Sequence, residues 1–359
     1  MGEVDIGFVE ECERWRLQSR FFPSKVGGEP AWLDLKNVPG AEDVQCGTCG
    51  DPCVFLCQVY APYFANDATF HRTIFVFVCK KSECCKDNDG GNLKVLREQL
   101  GRKNEFYPFD APEEREDWRP DLTVDKWTKT CHVCGLSAPS KCAKCRKVSY
   151  CCRSHQVIDW KTGHKEMCND PSRKPEDSPH KFLFPELELI TESENSEDSE
   201  DEGDEMEKEK REMEKYKLMV KTGKAGTLQS EKDIDGDLMN MVDDEDEVFT
   251  EFRSRVDKHP DQVLRYDRGG SPLYISADHQ PDHIPKCEEC GGDRQFEFQI
   301  MPQLLNYLGC LDVMKGLDWG VLTIFTCKNS CIPKSGYCSE FVWKQDIVGQ
   351  KKNLPKTNT

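Results

Sequence analysis

The chain has 359 residues, 37% hydrophobic and 32% charged, with a formal net charge of −17 and 21 cysteines. Such a length allows two or three domains, but the low apolar content leaves part of the chain unpacked. No apolar run approaches the roughly 18 residues of a membrane span, Met1–Glu10 lacks the charged-then-apolar start of a secretory signal, and Ile6 stands where a myristoylation motif needs Ser or Thr.

The cysteines are odd in number and fall in C-x2-C pairs. That is the habit of zinc knuckles in a reducing cytosol or nucleus, not of a secreted disulfide framework. The charge is unevenly spread. Residues 186–250 hold 24 acidic and 8 basic side chains, so nearly all the net charge belongs to that segment.

The first predicted unit, residues 1–125, carries a Gly-Gly-x-Pro turn at Gly27-Gly28-Glu29-Pro30, followed by Ala31 and Trp32. Glycines give such a turn its backbone freedom, and the aromatic after it reads as a core anchor. Cys46-x2-Cys49 follows, then the β-type run Ile74–Val78 ending in Cys79, then Cys84. These four cysteines make a zinc ribbon of two knuckles, with Cys85 as an alternative to Cys84. Leu93, Leu96 and Leu100 recur at helical spacing, which predicts a helix from Asn92 to Gly101.

Residues 126–170 hold the densest pattern: Cys131-x2-Cys134, Cys142-x2-Cys145, Cys151-x3-His155 and His164-x3-Cys168. Eight ligands in so short a stretch suit two tetrahedral zinc ions. C-x2-C grips an ion from a tight turn, and a spacing of four on a helix puts both ligands on one face. The pairing of the pairs is open. In a cross-brace, Cys131, Cys134, Cys151 and His155 share one ion, and Cys142, Cys145, His164 and Cys168 share the other. Cys152 is left as a free thiol. From Lys126 to Cys168 there are nine basic and two acidic residues. That is a basic patch, but with no recognition helix and no interleaved stacking aromatics it argues against direct nucleic-acid binding.

Residues 171–244 read as an acidic, largely disordered linker. The twenty residues from Glu186 to Glu205 contain eleven acids and no base, too little apolar surface to offset the ordering entropy. Asp204–Lys221 is compatible with a solvated helix of alternating charge. The last unit, residues 245–348 before a tail at 349–359, opens with a helix in which Val248, Phe249, Phe252 and Val256 recur at helical spacing before Pro260.

This unit repeats the first. Gly269-Gly270-Ser271-Pro272 precedes Leu273 and Tyr274, Cys287-x2-Cys290 matches Cys46-x2-Cys49, and the run Leu322–Thr326 ends in Cys327 before Cys331. Gln58-Val59 and Gln299-Ile300 lie between. Cys287, Cys290, Cys327 and Cys331 make the second ribbon, with Cys338 as an alternative to Cys331. Matching features in one order imply two copies of one unit. The expected fold is α+β: two related β-rich, ribbon-bearing units in one bilobal scaffold, with a zinc finger and a disordered acidic linker inserted between them.

No nucleophile elbow, phosphate loop, dinucleotide fingerprint or HExxH motif is found. Each expected zinc has four protein ligands, whereas catalytic zinc keeps a position open for water. The sequence reading is therefore non-enzymatic.

The central cluster resembles the MYND finger, including Tyr150-Cys151 and Asp159-Trp160-x3-His164-Lys165; it departs from that pattern at His155, where most such fingers carry cysteine. The resemblance implies a protein-interaction module for short proline-containing peptides. The whole chain resembles the programmed cell death protein 2 family, on Val26–Trp32, on the finger with its His155, and on Gln262–Tyr266 with Gly269–Leu273. That resemblance implies a dedicated chaperone of one newly made small-subunit ribosomal protein, protein two in the eukaryotic numbering. It further implies residence in cytoplasm and nucleus and a link to cell-death regulation. The acidic segment fits a basic client whose charges phosphate will later neutralise, and β-rich units offer edges or a groove for an extended segment. A nuclear adaptor recruiting corepressors through the finger is the alternative.

Overall fold

The computed structural model describes residues 4–168, 180–195, 247–309 and 316–346. Twelve strands occur among them: β1 Asp5–Glu10, β2 Lys25–Val26, β3 Val54–Tyr60, β4 His71–Val78, β5 Leu93–Leu100, β6 Ser140–Lys141, β7 Ser149–Tyr150, β8 Leu187–Ser193, β9 Leu264–Tyr266, β10 Arg294–Ile300, β11 Val321–Cys327 and β12 Tyr337–Gln345. Strands such as β3, β4 and β11 are rich in β-branched and aromatic residues and are buried on both faces, as strands enclosed between two packed layers must be.

Ten of these strands close one antiparallel barrel in the order β1-β8-β2-β3-β4-β5-β12-β11-β10-β9, with β9 returning to β1. The two repeats therefore do not form two lobes. The β2–β5 quartet of the first copy and the β9–β12 quartet of the second are joined edge to edge, with Val95 opposite Glu340 and Glu98 opposite Tyr337 at the β5–β12 seam. On the far side β1 and β8 pair with each other and fill the gap, β1 against β9 and β8 against β2. Closure gives each barrel strand a neighbour on both sides, whereas a pair of separate open sheets would leave outer edges exposed.

The repeat is visible atom by atom. A β-bulge interrupts β3 between Phe55 and Cys57, and another interrupts β10 between Phe296 and Phe298. Just past each bulge a glutamine clasps the Gly-Gly-x-Pro loop. Gln58 Oε1 accepts from Ala31 N at 2.9 Å and Nε2 donates to Ala31 O at 3.3 Å; Gln299 does the same to Leu273 at 2.6 and 3.0 Å. Glu98 Oε2 accepts from Leu33 N at 2.8 Å, and Gln345 Oε1 accepts from Ile275 N at 2.9 Å. Gly27 takes φ +64°, and a Cβ there would run into the Pro185 carbonyl.

Each quartet needs its outer face covered. On the first, Trp32 is buried against Phe75 with ring centroids 4.9 Å apart. Above it lies the finger, carrying the β6–β7 ribbon: Trp32 Nε1 donates to Gly135 O at 2.8 Å and Ser137 N to Pro39 O at 2.9 Å. Val133, Leu136 and Tyr150 of the finger belong to the same hydrophobic cluster as β3 and β4. On the second quartet the cover is the helix Glu247–Val256, whose Phe252 packs with Ile275, Met301 and Val321. Tyr274 is only half-buried, so the aromatic anchor after the turn holds for Trp32 alone.

Three expectations change. Leu93–Leu100 is strand β5, not a helix. Its buried face includes Arg97 and Gln99, and those polar residues hid the alternation that marks a strand. The acidic segment is not disordered from its start, because Leu187–Ser193 forms β8, paired to β1 and β2 with Leu189 buried. Backbone pairing on both sides compensates for its few apolar side chains. The bilobal arrangement is replaced by the single barrel. The helix expected over Val248–Val256 is present; the one expected at Asp204–Lys221, like the rest of the acidic linker past 195 and the tail past 346, lies outside the described residues.

Candidate metal centres

All four C-x2-C pairs adopt one turn. The residue four positions after the first cysteine donates its N–H to that cysteine's carbonyl: Gly50 to Cys46, Gly135 to Cys131, Arg146 to Cys142 and Gly291 to Cys287, at 2.8–3.0 Å. Each of these residues has φ between 57° and 75°, a left-handed conformation that glycine meets without strain. The turn aims both sulfurs at one point.

Four groups of side chains converge: Cys46, Cys49, Cys79, Cys84; Cys131, Cys134, Cys151, His155; Cys142, Cys145, His164, Cys168; and Cys287, Cys290, Cys327, Cys331. Within each group the ligand atoms all lie within 4.8 Å of one another. The finger is thus cross-braced, its two groups interleaved in the chain. All sixteen residues singled out in the sequence are brought together in these groups.

The spacing fits zinc. Zinc–sulfur bonds of about 2.3 Å in a tetrahedron place sulfurs about 3.8 Å apart, and a zinc–nitrogen bond of about 2.0 Å places nitrogen about 3.5 Å from each sulfur. The separations are 3.8 Å for Cys49–Cys79, 3.7 Å for Cys134–Cys151, 3.9 Å for Cys142–Cys168, 3.6 Å for Cys287–Cys331 and 3.6 Å for Cys290–Cys327. His155 Nδ1 lies 3.7 and 3.2 Å from Cys131 and Cys151, and His164 Nε2 lies 3.6 and 3.4 Å from Cys145 and Cys142. Disulfide sulfurs would be far closer, at about 2.05 Å. Four protein ligands leave no open position for water, the arrangement of structural zinc.

The alternatives left by the sequence resolve in the structure. Cys85 turns away, its Sγ 3.2 Å from Asp318 O. Cys338 is buried next to the last group but stands outside it, its Sγ directed to Ser339 O. Cys152 sits 3.0 Å from Ser154 Oγ and is not among the four converging ligands of its site. Cys53 and Cys57 are buried, and burial pushes both thiols well above their usual range. Cys12 is half-exposed, and Cys310 lies outside the described residues.

The ligands have supporting residues that sequence reading missed. Asp159, buried, accepts from Tyr150 Oη at 2.6 Å. Its Oδ2 stands 4.0 Å from His164 Nδ1, a ring nitrogen with no hydrogen-bond partner among the described residues, and its Oδ1 3.5 Å from His180 Nε2. At 4.0 Å the carboxylate is an electrostatic neighbour of the ligand ring, not a hydrogen-bonded one. The i,i+5 spacing of Asp159 and His164 in Asp159-Trp160-x3-His164 was the available signal, and only the π-turn Trp160–His164 brings the two together. The ligands of the Cys131 site are all buried, while Cys49 and Cys290 are exposed at their knuckles.

A closed barrel stapled by two matched cysteine clusters and covered by a cross-braced double-zinc finger defines a zinc-binding interaction scaffold. Residues 3–114 match the programmed cell death protein 2 N-terminal domain, 246–346 its C-terminal putative domain, and 131–168 the MYND finger, a protein-interaction domain. The chain is 43% identical to mouse programmed cell death protein 2 over 353 residues, 97% of each chain. It is 42% identical to the rat protein over 353 residues, 96% of this chain and 97% of that one. The chain belongs to the programmed cell death protein 2 family. A shorter stretch of 114 residues, 27% of this chain and 28% of the relative, is 29% identical to the fission yeast probable 20S rRNA accumulation protein 4. No solved structure matches it.

Proposed function

We propose that this protein is a non-enzymatic binding protein that chaperones a newly made basic ribosomal protein of the small subunit, the eukaryotic protein two, and so supports 40S ribosome biogenesis. The observation that carries this reading is the likeness to a fission yeast protein named for 20S rRNA accumulation. The chain's charge supports it: the excess of acid in residues 186–250 complements a basic client.

Closure of the barrel constrains where the client binds. Among the described residues the barrel strands are paired around the ring, which favours a client bound on the outer surface over one added as a further strand. A cleft of about 520 Å³ runs between Arg14, Lys80, Lys181, Phe184 and Leu308. Its rim is basic, so it does not suit the client's charged tails; the acidic segment does. The zinc-bound thiolates keep their form in reducing compartments, in accord with residence in cytoplasm and nucleus.

The test is affinity capture of the full chain from growing cells. The small-subunit protein should be among the captured proteins, deletion of 196–246 should weaken its capture, and small-subunit rRNA maturation should slow when the chain is depleted. Capture of histone deacetylase complexes without any ribosomal protein overturns the reading.

A second reading rests on one observation. Val157 and Trp160, three apart on the finger, are 40% and 37% exposed, an apolar surface of the kind that takes a short proline-containing peptide. In this reading the protein is a nuclear adaptor for corepressors. Replacing both residues by Ala would then abolish partner capture, whereas the chaperone reading leaves ribosomal-protein capture intact.

A further inference from the structure

The two flanking clusters each gather four sulfurs, whereas each finger site has three sulfurs and one nitrogen. Four thiolates on a divalent ion carry two net negative charges, one more than three thiolates with an imidazole. Such a charge, partly buried, requires neighbouring cations or N–H donors. At the Cys287–Cys331 cluster, Gly292 N donates to Cys290 Sγ at 3.4 Å from the cluster's own knuckle, and the opposite half of the barrel adds further support.

The donor from the opposite half is Arg97 of β5, a fully buried side chain of the first repeat. Its Nη1 donates to Cys331 O at 3.1 Å and its Nη2 lies 3.8 Å from Cys331 Sγ. Gln99, two residues on, donates to Ser330 O at 3.1 Å. Arg97 Nε binds Glu340 at 2.6 Å, and the other oxygen of Glu340 accepts from Arg294 at 3.0 Å and from Cys327 N at 3.0 Å. Arg294 donates to the carbonyls of Pro285 and Lys286, just ahead of Cys287. Two cations against one carboxylate leave a positive balance beside the sulfurs.

The reciprocal contact comes from the second repeat. Lys344 and Asp346 lie 247 positions after Arg97 and Gln99 in matching places on β12 and just past its end. Lys344 Nζ donates to Lys86 O at 3.0 Å and approaches Cys85 Sγ at 3.6 Å. Asp346 accepts from Asn88 N at 2.6 Å. They hold the loop directly after the ligand Cys84. Arg97 reaches a ligand sulfur itself; Lys344 stops one residue short.

We propose that the two flanking clusters are resident tetrathiolate zinc sites braced by the other repeat, with Arg97 the positioning residue of the Cys287–Cys331 site and the Lys344–Asp346 pair, 2.9 Å apart, steadying the loop after Cys84 at the other. Zinc retention in one half then depends on docking of the other. The arrangement is independent of which partner the protein serves.

The experiment uses the full-length protein. Native mass spectrometry should count four zinc ions. Cobalt replacement should show the spectra of tetrathiolate sites and of trithiolate–imidazole sites in equal amounts. Cys290→Ser, at an exposed ligand, should remove one ion and one tetrathiolate spectrum. Arg97→Met should speed zinc transfer to a chromogenic chelator from one site of the four by about tenfold to a hundredfold, the usual effect of losing an outer-shell partner. Arg97→Lys should restore most of the retention, and Lys344→Met should give a smaller effect at the other tetrathiolate site. Should Arg97→Met fail to fold, Gln99→Met reads the same contact and should speed release from that one site. Two ions per chain with no tetrathiolate cobalt spectrum overturns the proposal. So does release from the Cys287–Cys331 site that is unchanged in Arg97→Met or Gln99→Met, or that is speeded equally at the finger sites.

Discussion

Arg72 of β4 and Glu297 of β10 meet inside the barrel through two hydrogen bonds of 2.6 and 3.0 Å, both side chains fully buried and 225 residues apart in the chain. Their strands are not neighbours, so the pair crosses the interior and ties one repeat to the other. Glu297 also accepts from Tyr266 Oη at 2.8 Å and Thr326 Oγ1 at 2.5 Å, so its lone pairs are well used. Removing Glu297 leaves Arg72 without its counter-charge, whereas removing Arg72 still leaves Glu297 beside Arg268, whose Nε lies 3.3 Å from Oε2. Glu297→Gln should lower the unfolding free energy by about 3–5 kcal/mol and Arg72→Met by less, read from urea denaturation. The double variant Arg72→Met/Glu297→Leu should recover part of the loss; a double variant as weak as the sum of the singles would count against a direct pair.

Glu98 offers a pH test. It is fully buried, and burial pushes its carboxyl up to about 8, with nearby Asp34 adding to the rise and the N–H groups of Leu33 and Asp34 opposing it. The folded chain therefore holds a proton on Glu98 that the unfolded chain releases near the ordinary carboxylate range. Stability from this group is fully present below about pH 4.5 and declines as pH rises toward about 8. The matching residue Gln345 has no such titration. Glu98→Gln should flatten the fall in stability between those limits, measured as urea midpoints at pH 5 and pH 8. A variant with the parent's slope would show that Glu98 is ionised throughout.

Cys151 and Cys152 are adjacent, yet only Cys151 belongs to a converging group. Cys151→Ala should release one of the finger's two zinc ions and open the finger locally, since structural zinc supplies on the order of 10 kcal/mol to small modules. Cys152→Ala should leave the zinc count unchanged. Metal analysis after gel filtration separates the two, and the opposite result would move the ligand by one residue.

Trp32 joins barrel and finger through its Nε1–Gly135 bond. Trp32→Phe keeps an aromatic ring but leaves the Gly135 carbonyl without that donor, at a cost of about 1–3 kcal/mol. Hydrogen exchange should quicken around Cys131–Ala138 with little change in β10 and β11. Uniform quickening across the barrel would mean that the finger is not a separate layer.

The zinc sites were readable because a ligand pair at i,i+3 or i,i+4 is a local fact: turn geometry delivers both atoms to one ion wherever the segment lies. The helix Glu247–Val256 was readable for the same reason, from Phe249, Phe252 and Val256. Strand β5 was misread because Arg97 and Gln99 occupy positions where a strand pattern calls for apolar residues. Glu340 and the Cys331 carbonyl, from another part of the chain, make Arg97 tolerable there. Strand β8 was hidden by Glu188 and Glu192, whose charges are carried on the side away from Leu189.

Residue types at short or repeated spacing were enough to reveal the candidate ligands, the duplication and the uneven charge, while the grouping of the finger ligands and the choice of Cys84 over Cys85 and Cys331 over Cys338 came from the fold. The tertiary structure decided that the two copies close one barrel, that β1 and β8 complete it, and that Arg97 and Lys344 each reach across the seam. Those outcomes depend on pairing backbone edges and neutralising buried charge between segments hundreds of residues apart, and no local pattern encodes which distant partner will supply the missing half.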